Sequence, residues 1–402
     1  VTDYYPPVVG GISTQTESLV NGLLRRGHQV FVHAVSGPQG SAQNHDLTVA
    51  RGTHTSSFLP FLFKNKDERN LPPFPDPLFL HRLGKVVRGF QPDVIHAHGW
   101  VMFPVSFMAK KSLGVITGGT LHDYGFICPK RDLVYESAAG GDAICERIWV
   151  GRECIRCSGH AYGPLKSLGI VACLRLCETS PERLDFLTAV SNYVAEKARV
   201  KFGIPVETVP NFIDPNSALA SHADGNASEI PETHILFVGR LTPTKGVLLL
   251  MEAHSLLRKR FPHVKLTIIG KPDPRWGFNI PDSTISCRRS VSRDQLYAFY
   301  QRSKIVVIPS VWAEPRSMVA LEAMAFSKPL VVTKVGGLKE TVVDHKTGLV
   351  TKPNPGSLAE ALEYLLSNPS TMEEMGAKGR QHLLRNYTPE VVLPRIETLY
   401  RR

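Results

Sequence analysis

Leu19, Val20, Leu23 and Leu24 in "STQTESLVNGLLRRG" recur at the spacing of one helical face. Thr14 and Glu17 stand ahead of them at capping-box spacing. Arg25 and Arg26 suit the negative end of a helix and Gly27 suits its stop. The unbroken apolar run in "HQVFVHAV" then predicts a buried parallel strand, and "PDVIHAHG", "LGVITGGTLHD" and, more weakly, "FLTAVS" repeat it. From about 126 to 179 the rhythm fails, and this stretch reads as an insertion. "VPNFIDPNSALASHADGNASEIPE" carries no period and reads as a linker. The alternation then restarts with the strand "THILFVGR", the helix "GVLLLMEAHSLLRKR", the strand "HVKLTIIG", the helix "RDQLYAFYQRS", the strand "KIVVIPS", the helix "SMVALEAMAF", and the strands "PLVVTKVGG" and "KTGLVTK".

Strands alternating with helices predict an α/β protein of two Rossmann-like, doubly wound domains facing across a cleft. The expected division is 1–210 with the insertion at 126–179, then 211–385. A last helix over 386–402 can pack on either domain or cross back to the first. The opening "VTDYYPPVVGG" leaves room for only the end of a central strand, which implies that a few residues precede Val1.

A chain of 402 residues is long for a single core, and its 43% hydrophobic and 21% charged residues are ordinary for a globular protein. No apolar run approaches the ~18 residues that span a bilayer, and no basic and apolar leader opens the chain. The expectation is a cytoplasmic protein, with peripheral attachment to a membrane as the variant. Charge changes the picture by its distribution. Residues 1–230 carry 22 basic and 21 acidic side chains, so nearly all of the net +11 lies beyond them. A basic second half points to an anionic ligand there. The near-neutral first half favours a soluble acceptor over a lipid-linked one.

Ligands of such sheets sit beyond the C-terminal ends of the strands, where four features fall. Gly10 and Gly11 lie between strand and helix, where backbone N–H groups can receive a phosphate. They do not form the G-x-G-x-x-G fingerprint of a dinucleotide site. Arg240 and Lys245 in "FVGRLTPTKG" are two loop cations suited to a diphosphate. In "AEPRSMVALEAM", Ser317 suits an N-cap and the amides of Ser317, Met318 and Val319 form an anion site. Glu314 precedes that helix and Glu322 lies inside it, eight positions on. Helical rise would separate them by about 12 Å, beyond the ~5–9.5 Å of paired glycosidase carboxylates. Two separate hydroxyl-gripping roles fit better than one acid/base pair.

The set "PPVVGGIS", "TLHDY", "VGRLTPTKG", "AEPRSMVALEAM" and "VGGLKETV" resembles the family 4 retaining glycosyltransferases of GT-B fold, over nearly the whole chain outside the insertion. The E-x7-E pattern with an upstream R-x4-K is its most specific part. The resemblance implies a nucleotide-diphosphate sugar donor on the second domain and a small-molecule or glycan acceptor, a lipid-linked one included, on the first. It implies that Arg240 and Lys245 neutralise the leaving diphosphate without a catalytic metal. Glu314 would hold donor-sugar hydroxyls, Glu322 the ribose, and Gly11 with the amides after Arg316 the phosphates. His122 would sit at the reacting face, and anomeric configuration would be retained. The chain departs from the pattern at Arg316–Ser317, where the family has Phe-Gly.

Cys128, Cys145, Cys154 and Cys157 fall within about thirty residues and include one C-x-x-C, a set able to close a tetrahedral structural zinc site. Unligated thiols, disulfides or a cluster are the alternatives. A sugar-nucleotide epimerase or a phosphorylase on the same fold, and a basic nucleic-acid-binding protein, are the competing functions. No basic–aromatic interleaving supports the last, so no nucleic-acid partner is expected.

Overall fold

The computed structural model describes residues 1–8, 10–35, 40–43, 46–51, 73–108, 114–136, 142–220, 233–273 and 284–402. It divides into two compact units, one made of Val1–Asn211 with Val392–Arg402 and the other of Phe212–Val391.

In the first unit the strands are β1 (Val30–Ala34), β2 (Gly40–Gln43), β3 (Leu47–Arg51), β4 (Val94–His98), β5 (Ile116–Leu121), β6 (Val134–Glu136), β7 (Asp142–Ile144), β8 (Phe186–Ala189) and β9 (Glu207–Thr208). Its helices are α1 (Gly11–Arg25), α2 (Pro77–Phe90), α3 (Met102–Met108), α4 (Arg152–Tyr162), α5 (Pro164–Leu176) and α6 (Asn192–Phe202). The main sheet runs β2-β3-β1 on one side and β4-β5-β8-β9 on the other, parallel except for β2 against β3. Thr2 joins the halves, because it bridges to Ala34 and to His98 in parallel register. The stub Val1–Asp3 therefore takes the central place in the sheet.

Helix α1 begins earlier than its polar residues suggest. Gly10 is its N-cap in extended conformation, and the Thr14 N–H already bonds to the Gly10 carbonyl at 2.9 Å. Thr14 is thus inside the helix and the expected capping box with Glu17 does not form. The stretch 126–179 holds an antiparallel hairpin, β6 with β7, and a helical hairpin, α4 with α5. Gly163 separates the two helices at φ +84°, a conformation that favours glycine.

The second unit carries β10 (Thr233–Val238), β11 (Leu266–Ile269), β12 (Ile285–Arg288), β13 (Ser303–Ile308), β14 (Leu330–Thr333) and β15 (Gly348–Thr351). Its helices are α7 (Pro215–Ala220), α8 (Val247–Leu257), α9 (Arg293–Arg302), α10 (Met318–Ala325), α11 (Leu338–Thr341), α12 (Pro355–Ser367) and α13 (Pro369–Asn386). Helix α14 (Pro389–Leu399) follows, and the chain returns to the first unit at Val392. The sheet order is β12-β11-β10-β13-β14-β15, with every pair parallel. This is the doubly wound 3-2-1-4-5-6 order, whose switch point lies between β10 and β13. Ile235, Phe237, Leu250, Ile268, Ile305 and Val307 are buried in the core beneath it.

Helix α7 corrects one expectation. The Asp214 carboxylate accepts from the Asn216 N–H at 3.0 Å and Pro215 opens the helix, so a helical turn forms inside the stretch expected to be a linker. The remainder of that stretch, 221–232, lies outside the described residues. Among the described residues no helix is long and apolar enough to cross a membrane.

Candidate active site

Loops leaving β10 and β13 emerge side by side at the switch point, because those strands are neighbours in the sheet. The β10 loop carries Arg240 and Lys245 and the β13 loop carries Ser310, Trp312 and Glu314. Two glycines set their approach. Gly246, at φ +72°, has no room for a Cβ, which would sit 1.8 Å from the Pro309 carbonyl oxygen. Gly336, at φ +49°, lies so close that a Cβ would meet the Glu314 carbonyl oxygen at 2.5 Å. Both contacts exclude any larger residue without backbone movement.

Glu314 is the centre of this group. Lys245 Nζ donates to its two carboxylate oxygens at 2.9 and 2.8 Å. Oε2 also accepts from Trp312 Nε1 at 2.8 Å and from Ser310 Oγ at 3.0 Å. The Lys245 ammonium lies 4.9 Å from the Trp312 ring centroid, a cation–π distance. Glu314 is 5% exposed, so these contacts are made in a nearly water-free place. Oε2 is crowded by three donors, whereas Oε1 receives one and keeps a lone pair for a further hydroxyl. Arg240 lies exposed on the same loop, with no ion pair or side-chain hydrogen bond among the described residues.

Ser317 caps α10, its hydroxyl accepting from the Ala320 N–H at 3.4 Å. The amides of Ser317, Met318 and Val319 head the helix. Arg316, before the cap, is buried: it reaches Thr341 Oγ1 at 3.4 Å and Glu340 at 3.7 Å and stacks 5.3 Å over the Tyr387 ring. Where the family pattern has Phe-Gly, this chain has an internal tie from the α10 loop to α11 and the end of α13. Glu322 is wired separately. It accepts from Tyr300 Oη at 2.7 Å, and burial raises its carboxyl above the ordinary range. The two glutamates have different hydrogen-bond partners.

In the first unit, Gly10 and Gly11 are exposed at the start of α1, which has no acidic residue in its first turn. His122 follows β5 and is buried. Its Nε2 shares one hydrogen bond with His98 Nδ1 at 2.9 Å, so one nitrogen carries the hydrogen and the other a lone pair. Burial lowers His122 to about 4 and His96 to about 3, and lowers His98 well below its usual value. All three rings are neutral near pH 7.

His96 is fixed by a chain of donors. Thr188 donates to the Gly119 carbonyl at 3.3 Å, so it accepts from Thr120 at 2.8 Å. Thr120 then accepts from His96 Nε2 at 2.7 Å, and His96 Nδ1 accepts from Tyr400 Oη at 2.7 Å. Beside them Asp3 is fully buried and bonds the Trp100 N–H at 2.8 Å, while Arg131 joins Asp3 to Asp123 at 3.6 and 2.6 Å. Burial raises the Asp3 carboxyl to about 6.

Sequence reasoning passed over Ser310, Trp312, Tyr300 and His98. Ser310 and Trp312 share the strand-end loop of Glu314, a positional signal. His98 ends β4, another. Tyr300 stands 22 residues before Glu322 and carried no signal at all.

The four cysteines expected to bind zinc line one pocket, together with Val134 and Arg147. All are free thiols, and among the described residues no group of three or more His, Cys, Asp or Glu is placed to hold a metal ion. The physical reason is where the sulfurs point: Cys128 Sγ approaches Asp132 Oδ1 at 3.9 Å, and Cys157 Sγ approaches the Val134 carbonyl at 3.8 Å. Burial pushes the Cys128 thiol up to about 12. The four thiols therefore share one pocket, in positions that do not by themselves compose a metal-binding group among the described residues.

Residues 9–217 match the family described as Glycosyltransferase Family 4, and residues 224–382 match the one described as Glycosyl transferases group 1. A D-inositol 3-phosphate glycosyltransferase of Pseudarthrobacter chlorophenolicus is 29% identical over 388 residues, 91% of this chain and 84% of that protein. Another of the same name, from Corynebacterium urealyticum, is 31% identical over 78% of this chain and 72% of its own length. Among solved structures, sucrose-phosphate synthase of Thermosynechococcus elongatus superposes with TM-score 0.69 at 19% identity, covering 98% of this chain and 93% of its own. Anabaena HepE in complex with UDP-glucose superposes at 0.67 and 14% identity, covering 100% of this chain and 99% of its own. These likenesses carry the GT-B fold.

Proposed function

The chain belongs to the family 4 glycosyltransferases, and from that premise we propose that it moves a sugar from a nucleoside-diphosphate sugar to an acceptor hydroxyl with retention of configuration. The observation that carries the proposal is the Lys245–Glu314 pair at the switch point of the second sheet, with the exposed Arg240, unpaired among the described residues, on the same loop. Lys245 spends two of its three N–H groups on Glu314 and has one left for a phosphate oxygen. Arg240 offers a planar fork for another. The α10 amides add partial positive charge. Together they would stabilise the diphosphate as its oxygen takes the electron pair of the bond to the anomeric carbon.

Glu314 Oε1 would accept a hydroxyl of the donor sugar, and Glu322 one of the ribose. The acceptor oxygen attacks the anomeric carbon, and its proton passes to the departing phosphate oxygen. His122, neutral and held by His98, would act as a hydrogen-bonding group toward the sugar, not as a cation. Gly10 and Gly11 would approach the phosphates through their amides. No step requires a metal ion. The relatives' names supply the acceptor class proposed here, the hydroxyl of a polyol or a sugar.

The test pairs binding with stereochemistry. Thermal shifts against uridine, guanosine and adenosine diphosphate sugars identify the donor by mass action. With that donor, Lys245→Ala should lower kcat by ~10²–10³, the range for losing one donor to developing charge. The anomeric configuration of the product is read by NMR. An inverted product, or full turnover by Lys245→Ala that is folded like wild type, overturns the reading.

A further inference from the structure

Helix α5 is apolar on both sides. Ile170, Val171 and Leu174 are buried, yet Leu165 is 85% exposed, Leu168 51% and Leu176 80%. At 3.6 residues per turn, Leu165, Leu168, Gly169, Ala172 and Leu176 fall within an arc of about 100°. All five are exposed, and no polar residue interrupts them. The helix has 13 residues, about 20 Å, too short to span the ~30 Å of a bilayer core. An outward apolar stripe on such a helix seats on an apolar surface or is left in water at a cost.

Its borders indicate which surface. Lys166 and Arg175 are the charged residues of the helix; it has no acidic one, and they fall on opposite flanks of the stripe. Aromatic rings stand at both ends. Tyr162 precedes Leu165, its ring under the Lys166 ammonium at 5.3 Å. At the far end Arg175 Nε donates to the Val150 carbonyl at 3.0 Å, which ties the segment of the 63% exposed Trp149 to this end of the helix; the Trp149 ring centroid lies 4.2 Å from the Lys201 ammonium. An apolar stripe flanked by long cations and bracketed by Tyr and Trp has the chemistry of a lipid interface: acyl chains below, phosphates at the flanks, rings at the headgroup level.

We propose that α5 docks this enzyme on an anionic membrane surface, with Leu165, Leu168 and Leu176 entering the acyl boundary. Charge complementarity selects lipid over a second copy of the chain, which would set Lys166 and Arg175 against the same cations. The proposal does not depend on the glycosyl-transfer reading.

Full-length protein is sedimented with vesicles of phosphatidylcholine alone and of equal parts phosphatidylcholine and phosphatidylglycerol. The expected result is binding to the mixed vesicles that weakens with salt. Leu165→Ser/Leu176→Ser should lower the partition coefficient by about tenfold or more, since two buried side chains are lost. These positions are exposed, so the Tm of the variant should match wild type. Trp149 emission should shift to the blue with mixed vesicles, and Trp149→Phe should lose that shift. No binding to mixed vesicles overturns the proposal, as does binding that the serine variant retains. A dimer in solution that the serine variant abolishes, without vesicle binding, also overturns it and makes the stripe a self-interface.

Discussion

At the scale of single residues, Trp312 shows how much of a site depends on one hydrogen. Its indole donates to the oxygen of Glu314 that is already shared with Lys245 and Ser310. Phenylalanine would keep most of the ring under the ammonium and delete the N–H alone. A hydrogen bond to a charged group contributes about 1.5–3 kcal/mol, so Trp312→Phe should weaken donor binding by roughly tenfold or more. Isothermal titration with the donor would measure it, and an unchanged Kd would mean that Glu314 is oriented by Lys245 and Ser310 alone. Glu314 and Lys245 stand out in the sequence as charges on strand-end loops. Trp312 does not, because an aromatic residue two positions before a glutamate is equally compatible with a core side chain. Arg316 is the complementary case: as a letter it resembles a ligand-binding cation, but burial against Glu340, Thr341 and Tyr387 makes it a tie within the unit.

Among elements, β4 and β5 carry the strongest electrostatic consequence. They hold His96 and His98 and lead into His122, three imidazoles kept neutral chiefly by burial. Each has a folded value below the ~6.5 of an exposed histidine, so the unfolded chain binds more protons below that pH. Stability is therefore full above about 6.5 and falls as the pH drops toward 4, by up to ~1.4 kcal/mol per pH unit for each ring. Asp3 acts in the opposite sense, because its value of about 6 lies above that of an exposed carboxyl and the folded form holds the extra proton. Three rings against two raised carboxyls, Asp3 and Glu322, predict a net loss. Thermal melts should show Tm falling from pH 7 to pH 5, and a flat or rising Tm would contradict the buried, neutral cluster. Element boundaries were legible unevenly. The strand–helix alternation after 232 follows from long apolar runs punctuated by Gly and Pro. Helix α2 had signals that were passed over: Asp76 accepts from the Phe79 N–H at 2.9 Å and Pro77 opens the helix. The Thr14–Glu17 spacing misled, since Gly10 and Gly11 start α1 a turn earlier.

For the whole molecule, the two units close in different ways. The second is one continuous segment, 212–391, whereas the first needs both chain ends. Residues 392–402 give it Leu393, packed where a Cβ on Gly22 would stand 2.6 Å away; Glu397, gripped by Arg26 at 2.6 and 2.7 Å; and Tyr400 on His96. A fragment of 212–391 should unfold cooperatively and keep its affinity for nucleoside diphosphates. A fragment of 1–211 should be less stable than the same fragment supplied with 392–402. Melting curves and calorimetry of the fragments would decide. An aggregated 212–391, or a 1–211 indifferent to the tail, would refute this account.

The amino-acid sequence by itself determined the α/β class, the two doubly wound units and the membership in a glycosyltransferase family. Periodicity, turn residues and motif spacing are local, and they survive without knowledge of what packs on what. Only the tertiary structure decided which carboxylate meets Lys245, that Tyr300 serves Glu322, that His98 holds His122, that four thiols line one pocket, and that one face of α5 is exposed. Each of these depends on contacts between residues far apart in the chain, and on which side of an element water is excluded from, and no local pattern encodes either.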